Sequence, residues 1–318
     1  MKLLLIVFLG LSLNATYGTS FAESQATSAA MTTPETRIKP QVPILWKLET
    51  QPAAWLFGTI HIPDPSVNQL PPAAKIIFDQ SDYVLTEIPM ELSNMTAIAH
   101  LMKRTDGKTL KERLPPAIRQ RLQHYFNEIG LINGLSVLQD MQIWAVYASL
   151  ALLEVQIKHP LAKALDANIY ETAKKQGKQV GGLETIFEQV NYFKQFSEAE
   201  QIELLDDALK VIEYEKITGK SSLDAMITWY REGGKTNLAS LMRSISPKNT
   251  NKVLEAKLMQ LLITQRNKIM AQRIKEKIAQ HPDKRLFIAV GAGHLTEQEN
   301  IPHFLKELGI AATPFQPN

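Results

Sequence analysis

Residues 286–297 read LFIAVGAGHLTE, a continuous apolar run that ends in Gly291-Ala292-Gly293-His294. An uncharged run this rich in Leu, Phe, Ile and Val describes a strand buried on both faces, the kind found inside a parallel sheet covered by helices. That reading sets the class as α/β and directs attention to the loops beyond the carboxyl ends of the strands, where sites form in open sheets. The same signature stands more than two hundred residues earlier. Residues 54–64 read AWLFGTIHIPD, again an apolar run into Gly-x-x-His, at Gly58 and His61. If the two strands pair in one sheet, both turns reach the same edge.

Working outward, 44–50 and 54–60 form a hairpin around a Pro-containing turn, while 83–89 (YVLTEIP), 179–184 (QVGGLE) and 310–315 supply further strands. Helical patterns fill the space between. Residues 117–129 place Ile118, Leu122, Tyr125, Phe126 and Ile129 on one face, and Ser197 to Glu200 opens the next region with a capping box. From 253 to 279 the spacing of Leu254, Leu258, Leu261, Ile269, Ile274 and Ile278 predicts one long helix ended by His281-Pro282. The expected architecture is a mixed central sheet formed by N- and C-terminal strands, with a large helical middle region.

Composition narrows the function classes. Lys2 followed by the apolar run 3–13 and small residues up to Ala22 reads as a secretory signal peptide over 1–22, so the mature chain is exported, to the periplasm of a Gram-negative host or secreted. Residues 23–40 are low in complexity and read as a disordered leader, and 41–318 as a single α/β domain. The most apolar later stretch, 141–157, contains Gln142, Ser149, Glu154 and Gln156 and reads as a buried core helix, so no stable membrane insertion is expected. With 35 Lys and Arg against 32 Asp and Glu, the dispersed net charge of +3 makes no case for nucleic acid. The chain has 0 cysteines, which excludes disulfides, thiolate catalysis and Cys-ligated metal and leaves His and carboxylates as the only ligand types.

Four strands run into a residue able to ligate metal or transfer protons: His61, Glu87, Glu184 and His294. Two imidazoles and two carboxylates at one sheet edge would make a metal site of mixed nitrogen and oxygen donors, suited to Mn, Co, Zn or Fe. Glycine at 58, 291 and 293 is expected to permit a tight turn of positive φ and close backbone approach. Arg266 stands on a helix beside Lys268 and Arg273, where an oxyanion-stabilising role competes with an ordinary surface ion pair. The remaining histidines, His100, His124, His159, His281 and His303, have no matching partner and read as surface or structural residues. No HExxH, Gly-x-Ser-x-Gly, Walker or Rossmann motif is present.

In that order, Gly58-Thr-Ile-His61-Ile-Pro, Ser81-Asp-Tyr-Val-Leu-Thr-Glu87, Leu183-Glu184-Thr185, Arg266-Asn267 and Val290-Gly-Ala-Gly-His294-Leu resemble the motifs of the TraB/PrgY/GumN family. This family includes the Tiki proteins and is related to the erythromycin-esterase and ChaN-like proteins. The resemblance implies two pseudo-repeated halves around a mixed sheet. From the Tiki relatives it implies a metalloprotease dependent on manganese or cobalt, with His61, Glu87 and His294 in the strongest roles, Glu184 next and Arg266 after it. Relatives commonly carry glycine two residues beyond the Leu of the second motif, where this chain has Glu297, a side chain expected to narrow the pocket mouth.

The leading expectation is therefore metal-assisted hydrolysis of a peptide or a small amide or ester. His61 and His294 ligate a divalent ion, while one of Glu87 and Glu184 adds an oxygen ligand and the other acts as general base. The alternative is a non-catalytic haem- or peptide-binding protein of the ChaN or PrgY type.

Overall fold

Strands Leu45–Leu48 (β1), Ala54–Thr59 (β2), Tyr83–Thr86 (β3), Gln179–Gly182 (β4), Leu286–Gly291 (β5) and Ala312–Pro314 (β6) form one sheet in the order β4-β3-β5-β2-β1-β6. This computed structural model describes residues 41–315, so the expected signal peptide and leader lie outside the described residues. β4, β3, β5 and β2 run parallel, whereas β1 pairs antiparallel with both β2 and β6. The sheet is thus mixed, as expected, and the body around it is mostly helical. Nothing in the element order confirms the two pseudo-repeated halves.

β5 is buried at all six positions, which its uninterrupted apolar sequence requires of a strand with neighbours on both sides and layers on both faces. Its register against β2 pairs Gly58 with Val290 and Thr59 with Gly291, so the two strands end together. The Ala292 N–H donates to the Thr59 carbonyl at 2.8 Å, extending the ladder into the turns themselves. On the other side Thr86 of β3 stands opposite Gly182 of β4. Four parallel strands therefore release their chains at one edge, and that edge carries the site.

The expectation of positive φ at the motif glycines is overturned: among the described residues the left-handed glycines lie elsewhere in the chain, none of them at 58, 291 or 293. Close approach is what Gly58 provides. A Cβ there would stand 3.0 Å from Ile44 Cβ and 3.3 Å from Ala292 Cα, and the Gly58 carbonyl accepts from the Tyr230 hydroxyl at 2.8 Å.

The helical middle packs on itself and on the sheet. Ile143–Lys158 is buried on nearly every side, with Trp144 stacked on Phe193 at 5.3 Å, and no described helix is long and apolar enough to cross a membrane. Helix Pro116–Glu128 buries Ile118, Leu122, Tyr125 and Phe126, and Ser197 caps Glu198–Thr218 with Glu200 reciprocating.

One helix departs from expectation. The long helix of 253–279 is interrupted by a π turn, Gln260–Thr264, between Lys252–Met259 and Gln265–Gln280. A π turn admits an extra residue and so rotates the downstream residues relative to the helical period. Ile269, expected in the core, is 39% exposed, while Arg266 and Asn267 are buried in its place.

Candidate functional site

The edge formed by β4, β3, β5 and β2 gathers His61, Glu87, Glu184 and His294, and the rotated helix adds Arg266 and Asn267; all six are at least 96% buried. His61 follows β2 by two residues and His294 follows β5 by three, on the short turn of helix Gly293–Thr296. Their Nε2 atoms face the same carboxylate oxygen, Glu87 Oε1, at 3.6 and 3.7 Å, distances too long for a hydrogen bond.

The outer nitrogens are held differently. His61 Nδ1 lies 2.9 Å from Asp166 Oδ1, in the first turn of helix Leu165–Lys175, whereas His294 Nδ1 meets Asn267 Oδ1 at 2.5 Å. Burial alone would lower the His61 pKa, but the Asp166 charge and hydrogen bond, with Glu87 behind them, raise it to about 10. Burial lowers that of His294 to about 3, with Arg266 and His61 adding to the effect and Glu87 opposing it. The surroundings thus favour the charged form of His61 and the neutral form of His294.

Glu87 is the hub. Its Oε1 accepts the Gly291 N–H at 2.6 Å and its Oε2 pairs with Arg266 Nη2 at 2.5 Å. Burial would raise its pKa, yet the Arg266 guanidinium, with His61 beside it, holds it well below the carboxylate range. Arg266 also grips Glu184 through Nε and Nη2, at 3.0 and 2.6 Å from Oε2, and Gln189 Nε2 bridges Glu87 and Glu184 at 3.3 Å each. Arg266 is thus a buried clamp between two carboxylates and not a surface ion pair. Glu297, expected at the pocket mouth, instead accepts the Ala239 N–H at 3.2 Å and so caps helix Leu238–Ile245, outside the cavity lining.

The cavity beside His61 is small, about 10 Å³, enough for roughly one water. It is lined by His61, Glu87, Ile88, Met90, Asp166, Gln189 and Ala289, and Glu184 is not among them.

Among the described residues, no group of three or more His, Cys, Asp or Glu side chains forms a ready-made metal cage. The donor chemistry of His61, His294 and Glu87 nevertheless fits a divalent ion in two respects. His294 Nδ1 is hydrogen-bonded to Asn267 Oδ1 and His61 Nδ1 lies 2.9 Å from Asp166 Oδ1, so both rings have an oxygen behind Nδ1, as outer-shell partners of metal-bound imidazoles do. Asp166 and Glu87 bring carboxylate oxygens beside the two imidazoles, so the set mixes nitrogen and oxygen donors as such an ion accepts.

Sequence reasoning missed Asp166 and Gln189 and assigned no role to Asn267. Asp166 reads as an acid in a helix's first turn, a commonplace that the helix dipole explains without a site. Only the Arg266-Asn267 pairing carried a signal.

The TraB/PrgY/gumN family model matches residues 44–314. Metalloprotease TIKI1 of Xenopus tropicalis is 25% identical over 309 residues, covering 83% of this chain and 60% of that protein. The human TIKI1 metalloprotease is 24% identical with the same coverage, and the uncharacterized protein YbaP of Escherichia coli K12 is 27% identical over 252 residues, covering 79% of this chain and 87% of YbaP. The chain therefore spans about three fifths of the length of the TIKI relatives. No solved structure matches it significantly. With the ordered motifs folded onto one sheet edge and the family model covering nearly all the described residues, the chain belongs to the TraB/PrgY/gumN family.

Proposed function

We propose that the chain is a metal-dependent hydrolase of a peptide or a related small amide or ester, with His61, His294 and Glu87 holding a divalent Mn, Co, Zn or Fe ion. One observation supports this reading above the others: two imidazoles, each with an oxygen beside Nδ1, turn Nε2 to one buried carboxylate oxygen. The kinship with TIKI metalloproteases agrees with it. When bound, the ion supplies a Lewis acid and a water of lowered pKa.

The chain's own residues prepare that chemistry. Asp166 stands as an ion-pair partner beside His61 Nδ1, and Asn267 Oδ1 accepts the Nδ1 proton of His294, so each ring offers Nε2 once His61 is neutral. Arg266 fixes the Glu87 carboxylate and is fixed in turn by Glu184, which we assign to positioning because it does not line the cavity. The buried setting strengthens every one of these interactions. We place the reaction outside the cytoplasm, on the strength of the apolar run 3–13 and the small residues to Ala22.

Elemental analysis tests this, on mature protein purified without chelator or nickel resin and reconstituted with Mn, Co and Zn, beside a His61→Ala/His294→Ala double variant. About one ion per chain in the wild type and none in the folded variant is expected. No retained ion, or equal retention by both, overturns the metal reading and favours haem binding, seen as a Soret band, or stoichiometric peptide binding that survives chelation.

A further inference from the structure

A cavity for about one water cannot receive a peptide bond, so the hydrolase reading, on which this inference rests, needs a part of the wall that moves. Most of the wall is immobile by construction. His61 and Glu87 closely follow central strands, Ala289 lies within β5, and Asp166 and Gln189 are buried on helices. Ile88 is buried, and its carbonyl is held by the Thr86 hydroxyl at 2.7 Å.

Met90 differs from the rest of the lining. It is only half-buried and lines the cavity, so the residue stands between the cavity and solvent. It belongs to Pro89-Met90-Glu91, outside regular structure between β3 and helix Leu92–Leu101. We propose that this segment is the door of the site and that Met90 is the stopper whose size decides what passes.

The two residues beside Met90 supply a seat and a latch. Pro89 rests on β4 where Gly182 has no side chain: a Cβ there would stand 2.4 Å from Pro89 Cδ and 2.8 Å from its nitrogen, so only glycine allows the door to lie so close. Glu91 reaches across to helix Leu165–Lys175, accepting from the Tyr170 hydroxyl at 2.8 Å and from Lys174 Nζ at 3.0 Å. That helix also carries Asp166, so the latch ties the door to the element that holds His61. A half-exposed ion pair contributes little stability, which suits a contact that must open repeatedly. An unbranched thioether suits a stopper, because it has no charge to desolvate and three rotatable bonds by which to swing aside.

Because the chain has 0 cysteines, a single Ala289→Cys substitution on the cavity wall makes a thiol reporter that reads access without any metal. Its rate of modification is followed with a small reagent, methyl methanethiosulfonate, and a bulky one, 5,5′-dithiobis(2-nitrobenzoate). A separate Ala208→Cys variant, buried in helix Glu198–Thr218, supplies a control thiol that reports global opening. Adding Met90→Ala is expected to raise the bulky reagent's rate at the cavity thiol at least tenfold and to abolish its disadvantage relative to the small one. Met90→Trp lowers both rates, Glu91→Gln raises both severalfold, and the rate at the control thiol stays constant throughout. Equal cavity-thiol rates in all backgrounds, or changes matched at the control thiol, overturn the door. Because the readout is free of metal, the door stands or falls separately from the hydrolase assignment.

Discussion

At the end of β2, His61 meets a carboxylate, Asp166; at the end of β5, His294 meets an amide, Asn267. The turns share Gly-x-x-His, lie in register on neighbouring parallel strands and point Nε2 at the same Glu87 oxygen. Yet one ring is held protonated to about pH 10 and the other neutral down to about pH 3. A four-residue motif delivers an imidazole to a place; the surroundings decide its charge, Asp166 raising the His61 pKa while burial, Arg266 and His61 lower that of His294. Both partners come from helices outside the motifs, so the two turns differ for reasons that the motif does not contain.

The comparison depends on the clamp that the turns share, and removing it has the largest expected effect. Arg266→Met leaves Glu87 and Glu184 buried without their cation, so a loss of about 3–5 kcal/mol of stability is expected in urea denaturation of the metal-free protein. An unchanged midpoint would mean that the clamp does not hold the edge together.

Exchanging the partners sharpens the contrast. Asp166→Asn makes the first turn resemble the second, and is expected to bring the His61 pKa down and to weaken metal affinity about 10–100-fold. Asn267→Asp does the converse and raises the His294 pKa. Ring-nitrogen NMR titration of the two histidines, with competition against a coloured chelator, measures both quantities.

The two rings also pull the pH dependence of the metal-free protein in opposite directions. His61, raised in the fold, contributes stability that is present below its ordinary value of 6.5 and is lost as pH climbs to about 10. His294, lowered in the fold, costs stability as pH falls from 6.5 towards about 3, because the unfolded ring takes up a proton that the folded one refuses. Glu87, lowered well below 4.5, adds to the acid limb. Stability is therefore expected to peak near pH 6–7. Denaturation midpoints across pH should lose the alkaline limb in His61→Gln and lose only part of the acid limb in His294→Gln.

The smallest effect belongs to the flank of the second turn. Glu297→Ala uncaps helix Leu238–Ile245 and is expected to cost about 0.5–1 kcal/mol in thermal unfolding, with metal content unchanged.

Much of this is legible in the chain. The six strands stand where apolar runs and turn residues put them, most plainly β5, because a doubly covered strand has to be apolar throughout. His61, Glu87, Glu184 and His294 are recognisable as residues just past strand ends, and all four are gathered at one edge. The long helix shows the limit of periodicity: a π turn has no residue signature, so the spacing alone puts Ile269 in the core and Arg266 towards the surface, the reverse of the outcome.

The sequence by itself determined an α/β chain with one strand apolar throughout, two apolar runs that each end in Gly-x-x-His, and the absence of any thiol chemistry. All of these follow from local composition. Only the tertiary structure decided that Asp166 would stand beside one ring and Asn267 beside the other, that Arg266 would clamp two glutamates, and that Met90 would border the cavity. Charge states and closure arise from neighbours within a few ångströms, which for Arg266 lie 82 and 179 residues away along the chain, a separation that no window of local sequence spans.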